Sequence, residues 1–562
     1  MNGIIFIAII ATVLLLVFLI GKSNEKTERE RFIKQVKNEF GKAPSKRLKT
    51  SGKGLWGYHL KHRNDYFVDD ITFSDLSLSD VFDRINYCES DAGEEYLYYL
   101  IRNPKIGLSD ETGEFEEHVS DFFTDEDLRL KYKQIFHSIG KNFKYSIYEY
   151  LDFLDKYDRE SNFVHFLLLA LMGVSLIIMC AWNFTFGFLL LLCTFAYNIV
   201  SYFRIKVQID PYISTFAYVC RLLRMAKKVS DEGDERFKKE NDELLISCKN
   251  MEGFIKGSWV LMSPSKMNGS GNPIDVLMDY VRMLTHVDII KFNKMFDSLK
   301  KEIASVDKMI SIMGRIDAEL SVSYFRASLQ NGYSIPDLTE NGSRKFAMED
   351  GYHPLIDVPV KNTILSDRGI LITGSNASGK STFLKTCAIN AILSQSINTA
   401  LASKYAAPFY RVYSSMALRD DLRGGDSYYM VEIKSLKRIL DAKDGKAPVL
   451  CFIDEVLRGT NTVERISASA KILEYFAESD VYCIAATHDV ELSQLLKECF
   501  DIYHFEGIMK GDDVEFDYLL KEGPATTRNA INLLKVIGYD EKIVTDAENM
   551  AKRFEESGIW SL

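Results

Sequence analysis

The chain has 562 residues, 47% hydrophobic and 26% charged, enough apolar content for more than one packed core and too much for an intrinsically disordered protein. Its formal net charge of −10 supplies no whole-chain attraction to nucleic acid or an anionic bilayer, so any such partner must meet a local basic surface. Nine cysteines stand singly, without the close pairs of zinc or redox sites, and read as reduced core thiols.

Residues Ile4 to Ile20 are continuously apolar and are followed by the charged flank KSNEKTERERFIKQVK. No basic region precedes this run and no small-residue cleavage site is evident, so it reads as a retained membrane anchor rather than a cleaved signal peptide. Next, within residues 23–68, KAPSKRLKTSGKGLWGYHLKHRND reads as a basic, solvated linker. A mostly helical region follows to about residue 160. A second apolar block, Phe163 to Phe203, holds no Asp, Glu, Lys or Arg and, at about 20 residues per crossing, is long enough for two helices. Trp182, Asn183 and Thr185 mark the turn between them, and His165 stands near the interface. Lys22, Lys26, Arg29 and Arg31 flank the first segment, and Arg204 and Lys206 flank the last, which predicts that both of those ends face the cytoplasm. The expectation is therefore a multi-pass membrane protein with three crossings, its N-terminus outside, and Lys22 to Ser161 and Arg204 to Leu562 inside.

Beyond the hairpin, residues 205–345 place apolar side chains at helical spacing among charges, the pattern of long amphipathic helices with a solvated face. The Pro, Gly, Ser and Asn of Met262 to Asp275 interrupt them. From about Gly351 short β-branched or apolar runs alternate with helices, which predicts a parallel sheet.

GSNASGKS, at Gly374 to Ser381, follows the apolar run Ile370 to Thr373 and precedes a helical pattern, the setting of a phosphate-binding loop. Backbone N–H groups of Gly374, Ser375, Asn376, Ala377, Ser378 and Gly379 would converge on the anion, and the helix N-terminus adds its dipole. Lys380 supplies a point charge to the β and γ phosphates, the Ser381 hydroxyl is a candidate Mg²⁺ ligand, and Thr382 stabilises the loop. PVLCFIDEVLRGTNT, at Pro448 to Thr462, is a buried strand ending in two carboxylates. Asp454 suits the Mg²⁺ shell, and Glu455 suits the general base that deprotonates a water. A third strand ends at Thr487 and His488, where His488 can sense the γ-phosphate or bond the lytic water. In DDLRGGDSYYMVE, Asp420 to Glu432, Ser427 stands ahead of a helix and would reach a neighbour's γ-phosphate if two such domains paired face to face.

GYHPLI, ITGSNASGKSTFLKT, DDLRGGDSYYMVE, FIDEVLRGTNTVER and AATHDVEL occur in the order and approximate spacing of the ATPase-domain motifs of the MutS family, which the chain resembles over roughly Gly351 to Ala547. The segment KEGPATTRNAINLLKVIGYDEKIVTDA resembles that family's helix-turn-helix dimerisation element, and Asp69 to Pro104 the start of its core domain. The resemblance implies an ABC-type ATPase homodimer using ATP and Mg²⁺ in two composite sites. In it Asn376 also contacts nucleotide, Ser427 acts in trans, and His353 lies near the base. No mismatch-reading domain, connector or DNA clamp is recognisable before the ATPase, and the second apolar block falls inside the core. The predicted fold is multidomain: transmembrane helices plus an α-helical MutS-like core, followed by an α/β P-loop ATPase domain with a C-terminal helix-turn-helix. Its expected order is an anchor (1–22), a basic linker (23–68), the first part of the core (69–160), a transmembrane hairpin (161–204), a helical core and lever region (205–345), the ATPase domain (346–520) and the dimerisation element (521–562). Two functions compete. One is an ATPase that opens and closes around mismatched or branched DNA; the other is a membrane mechanoenzyme acting on a protein partner or a membrane element. An ABC transporter is disfavoured, because the chain has no LSGGQ sequence and only three expected crossings.

Overall fold

Two stretches far apart in sequence assemble one helical core. The computed structural model describes residues 26–44, 54–141, 146–153, 161–256, 258, 261, 280–340, 346–375, 378–416, 428–510, 513–525, 531, 534 and 537–557. The expected anchor at 4–20 lies outside the described residues. The first stretch gives α1 (26–39), α2 (Trp56–His62), α3 (Asp70–Asp75), α4 (Leu78–Ile85), α5 (Asp91–Arg102), α6 (Asp110–Thr124), α7 (Glu126–Ile139) and α8 (Ile147–Phe153). The hairpin follows as α9 (Asn162–Ala181) and α10 (Phe184–Glu232). The second stretch adds α11 (Lys238–Asn250), α12 (Glu252–Ile255), α13 (Val287–Lys301) and α14 (Ile303–Ala327).

Helix α14 is the axis of this core and packs against α5, α6 and α11. The α5 crossing is close enough to require glycine: a Cβ on Gly314 would stand 2.6 Å from the Ala92 carbonyl oxygen. The buried Asp317 carboxylate fastens the same crossing, accepting from Ser90 Oγ at 2.6 Å and Ser90 N at 2.9 Å. Ser90 in turn caps α5 by accepting from Gly93 N.

Asn183 caps α10 by accepting from Phe186 N, and Gly187 lets α10 approach the backbone of Met179, which together close the α9/α10 turn. Both helices are long and apolar enough to cross a membrane, and their faces are largely exposed, with Phe163 71% and Trp182 81% accessible. The expected boundary at residue 204 has no counterpart in the fold. Helix α10 runs unbroken for 49 residues, about 74 Å at 1.5 Å per residue. Composition changes at Arg204, but helical spacing does not: Tyr202, Ile205, Ile209, Phe216, Val219, Leu223 and Ala226 form one buried stripe from hairpin to core.

The expected linker over 23–68 also differs. Residues 45–53 lie outside the described residues, yet residues 26–39 are helical, and α2 packs against α5 and α8 with Leu55, Tyr58 and His59 buried. The basic residues there are the exposed face of a short core helix. Glu95 anchors it by accepting from Tyr58 N at 3.0 Å.

C-terminal to α14 the chain becomes α/β. Its strands are β1 (Asp337–Thr339), β2 (Phe346–Gly351), β3 (Asn362–Ser366), β4 (Gly369–Thr373), β5 (Lys404–Pro408), β6 (Arg411–Ser415), β7 (Val449–Asp454), β8 (Val481–Thr487), β9 (Phe500–His504), β10 (Gly507–Lys510), β11 (Asp513–Phe516) and β12 (Lys521–Glu522). The helices are α15 (Lys380–Ile397), α16 (Tyr428–Asp441), α17 (Thr462–Glu478), α18 (Val490–Leu495) and α19 (Glu541–Ser557). The main sheet has the order β12-β9-β4-β8-β7-β6 and is parallel except for β12. Its inner strands β4, β7 and β8 read as nearly unbroken apolar runs because both faces are covered. Leu450, Phe452 and Ile484 join the cluster shared with the helical core, while Val449, Cys451 and Cys483 join the cluster that includes Leu436 of α16 and Leu473 of α17. Of the expected helix-turn-helix at 521–562, the described residues are 521–525, 531, 534 and 537–557, which hold β12 and α19.

Candidate active site

Strand β4 lies between β8 and β9, and β7 lies beyond β8, so the C-terminal ends of β4, β7 and β8 converge at one edge. Thr373 is in register with Thr487, and Asp454 with Ala486. The chain leaves β4 into a loop whose two glycines are required by geometry. Gly374 has φ +147 and a Cβ there would stand 2.5 Å from the Phe505 carbonyl oxygen; Gly379 has φ +106. Gly379 ends the loop as the residue before α15.

A cavity of about 630 Å³ opens at this edge. It is lined by Ser378, Gly379, Lys380, Ser381 and Thr382 of the loop and α15, by Asp454 at the end of β7 with Glu455 and Arg458 just after it, by His488 beyond β8, and by His353. Residues that the sequence places up to 135 positions apart, His353 and His488, thus face one space. Asn376, Ala377 and Ser427 lie outside the described residues.

Lys380 Nζ donates to the carbonyl oxygens of Gly374 and Ser375, each at 2.8 Å. Burial lowers its pKa to about 8, opposed by the charges of Asp454 and Glu455 and reinforced by Arg458. Ser375 Oγ and Ser378 Oγ are buried and make no hydrogen bond to any described residue. A phosphate in the loop would satisfy these groups and would draw Lys380 off its carbonyl oxygens, so the cradle fits a nucleotide polyphosphate. Asp454 and Ser381 supply oxygen donors to the same cavity, the chemistry of a Mg²⁺ site. Among the described residues no three His, Cys, Asp or Glu side chains gather to hold a metal by themselves. That fits an ion whose remaining ligands are phosphate and water.

Glu455 has φ +62, a left-handed backbone unusual for a residue with a side chain, and its N–H donates to Ala486 O at 2.9 Å. Its carboxylate is paired with both His488 Nε2 and Arg458. Burial alone would raise its pKa, but the His488 hydrogen bond and the charges of His488, Arg458 and Lys380 outweigh it and hold the carboxyl below its ordinary range. The other ring nitrogen, His488 Nδ1, lies 2.9 Å from Gly374 O, so His488 bridges the phosphate loop and the end of β7. His353 accepts from Leu355 N at Nδ1, and burial, aided by Lys385, lowers its pKa to about 4. It lines the cavity as a neutral ring.

Several lining residues received no role in the sequence reading, Arg458 and Tyr518 among them. Arg458 stands within a quoted motif but carried no assigned role. Tyr518 lies just beyond the β10–β11 hairpin, with φ +55 and its ring 3.1 Å from where a Gly379 Cβ would be. Asn362 of β3 holds it there, donating to Tyr518 O at 3.0 Å and accepting from Leu520 N at 2.7 Å. No local sequence signal marks this aromatic, because its position depends on a strand about 150 residues earlier.

The family model described as MutS domain V matches residues 370–555. The chain is 30% identical over 285 residues to the DNA mismatch repair protein MutS of Natronomonas pharaonis, an alignment covering 48% of this chain and 33% of that protein. It is 28% identical over 272 residues to the protein of the same name from Thermotoga maritima, covering 47% and 33%. For that of Aquifex pyrophilus the identity is 26% over 275 residues, covering 47% and 32%. The chain thus spans about a third of the length of these relatives.

Proposed function

Because the chain belongs to the MutS family through its domain V, we propose that it is a membrane-anchored ATP hydrolase whose ATP cycle opens and closes a homodimer around DNA, mismatched or branched. The observation that carries the ATPase part is the meeting of the phosphate loop, Asp454, Glu455 and His488 in one cavity. In this reading Ser375, Ser378 and the backbone of the loop receive the phosphates, and Lys380 moves from the Gly374 and Ser375 carbonyl oxygens to the β and γ oxygens. Mg²⁺, held by Ser381 and Asp454, would neutralise charge developing between those phosphates. Glu455, kept ionised, takes a proton from the attacking water, and His488 holds the carboxylate and the γ-phosphate side of the loop in one arrangement. Ser427 of the partner subunit completes each site, and His353 stands toward the base.

Glu455→Gln is expected to keep ATP binding while hydrolysis falls by about 100-fold or more, measured by nucleotide titration and single-turnover release of phosphate. Near-normal turnover would remove Glu455 as the base. The DNA part is supported by the names of the relatives. It is tested by ATP hydrolysis of the detergent-solubilised protein with homoduplex, mismatched and branched DNA across salt concentrations, since binding through phosphates weakens steeply with salt. Absence of binding or stimulation by any of the three overturns it. One observation favours the second reading, a stroke delivered to a membrane element or protein partner: the α10 helix runs without a break from the apolar hairpin into the core.

A further inference from the structure

Both oxygens of the Glu455 carboxylate are occupied. His488 Nε2 pairs with Oε1, and Arg458 Nε pairs with Oε2. A carboxylate that is to take a proton from water needs one of them open. The turn after β7 is built to make the Arg458 pair. Glu455 and Leu457 have φ +62 and +60, left-handed conformations that cost free energy in a residue with a side chain and persist only where the surroundings enforce them. Here Val456 and Leu457 are buried in the cluster shared with α16 and α17, and Ser469 Oγ of α17 donates to Val456 O at 3.1 Å. Gly459 passes so close to α16 that a Cβ there would stand 2.8 Å from Tyr429 Cβ. The backbone from Glu455 to Gly459 is thus held by its neighbours, and it folds the side chain at 458 back over that at 455. The Arg458 side chain itself is 41% exposed and lines the same cavity as Lys380, so it can turn into the cavity with no change in the backbone.

Among the described residues, Arg458 carries the one guanidinium that lines the cavity. A terminal phosphate bears more negative charge than a carboxylate, and a guanidinium can meet two of its oxygens at once. We propose that Arg458 is a catalytic residue that changes partners: in the empty site it occupies Glu455 Oε2, and with ATP bound its guanidinium moves to the terminal phosphate. The move opens Oε2 to the attacking water, and the arginine takes up charge that develops on the phosphoryl oxygens. The step balances with no further reactant. The water proton passes to Glu455, the water oxygen bonds to phosphorus, and the bond from phosphorus to the ADP oxygen breaks with its electron pair leaving on ADP. The base is therefore opened only when the phosphate it acts upon has arrived, whereas ADP leaves the Arg458 and Glu455 pair in place. The inference rests on the ATP hydrolase reading above and gives a role to a lining residue that the sequence pattern left without one.

The test uses the full-length chain in detergent, with nucleotide affinities and single-turnover hydrolysis measured side by side. Glu455→Gln removes the charge that holds Arg458 and is expected to tighten ATP about tenfold while ADP affinity changes less than about threefold. In Glu455→Gln combined with Arg458→Ala that gain for ATP is expected to vanish. Arg458→Ala alone is expected to lower kcat about 100-fold or more with ADP affinity within about threefold of the wild type. Millimolar guanidinium chloride is expected to raise the kcat of Arg458→Ala about tenfold and to leave that of Lys380→Ala unchanged, a rescue that a merely structural role for Arg458 would not give. If Glu455→Gln tightens ATP equally with and without Arg458, or not at all, the guanidinium does not change partners and the inference falls alone. It falls alone as well if Arg458→Ala turns over within about threefold of the wild type, or if guanidinium restores nothing. If the unaltered chain neither binds nor hydrolyses ATP, the ATP hydrolase reading falls and takes the inference with it.

Discussion

Lys380 stands among groups that pull its charge in opposite directions, and the balance leaves its pKa at about 8 because burial outweighs Asp454 and Glu455. The ammonium form is therefore present below about pH 8 and lost above it. A bound polyphosphate favours the ammonium, so ATP affinity is full below that value and falls as pH rises through it. Titration with a fluorescent ATP analogue is expected to give a Kd roughly tenfold weaker at pH 9 than at pH 7, with Lys380→Arg flattening the dependence because guanidinium stays charged. An unchanged Kd over that interval would show that Lys380 does not meet the phosphates as a titrating group. Tyr518 offers a second residue-scale test. Its ring lies over Gly379 at the cavity wall, where a purine can stack. Tyr518→Ala is expected to raise the KM for ATP by roughly 5- to 150-fold, from about 1–3 kcal/mol of lost base–aromatic stacking, with kcat changed far less. Tyr518→Phe is expected to restore it.

At the scale of elements, α10 is tied to α13 where the hairpin meets the core. Lys206 Nζ lies 2.8 Å from Asp288 Oδ2, which also accepts from Tyr202 OH at 3.0 Å, and Asp288 is 1% exposed. Removing one partner of such a pair leaves a buried charge, so Lys206→Met is expected to cost about 3–5 kcal/mol, while Lys206→Met with Asp288→Leu recovers most of it. Chemical unfolding of the solubilised protein checks the order. Equal stability of the single and double variants would mean that the pair is solvated and does not fix α10. The same helix shows what the sequence could and could not announce. An apolar run without charge reads as a hairpin, and strands that lead into Lys380, into Asp454 and Glu455, and into His488 read as a nucleotide site, because both signals are local. The continuity of α10 through Arg204 was hidden by a change of composition that leaves its buried stripe in phase. The same limit hid α2, where Lys61 and His62, with Arg63 just after it, suggested a solvated linker while Leu55 and Tyr58 pack inward. The place of Tyr518 and the hydrogen bond from Ser414 Oγ to Asp75 depend on contacts across about 150 and 340 residues, and no window along the chain contains them.

For the molecule as a whole, side-chain contacts fix the direction of each core helix along α10. Arg221 donates to Ile139 O, and Glu232 pairs with Lys131, so α7 runs against α10. Asn250 donates to Ser305, and Arg315 pairs with Glu240, so α14 runs against α11 and carries the chain away from the hairpin to Arg326, which donates to Thr399 of the ATPase domain. The hairpin and the nucleotide cavity thus lie at opposite ends of one stack of helices. If the hairpin crosses a bilayer, its turn and the ATPase domain stand on opposite sides. Cys180 is exposed two residues before the turn and Cys193 is exposed on α10, so both are first replaced by serine. In intact cells a membrane-impermeant maleimide is expected to label Trp182→Cys and to reach Lys26→Cys only after permeabilisation. Labelling of both positions from the same side would mean that α9 and α10 do not cross. The exposed apolar faces of α9 and α10 would then need a protein cover. The two outcomes assign the stroke differently. A crossing hairpin makes the bilayer the fixed end against which α10 can act, whereas a covered hairpin makes its partner that end, and either leaves the ATP site in the compartment that holds Lys26.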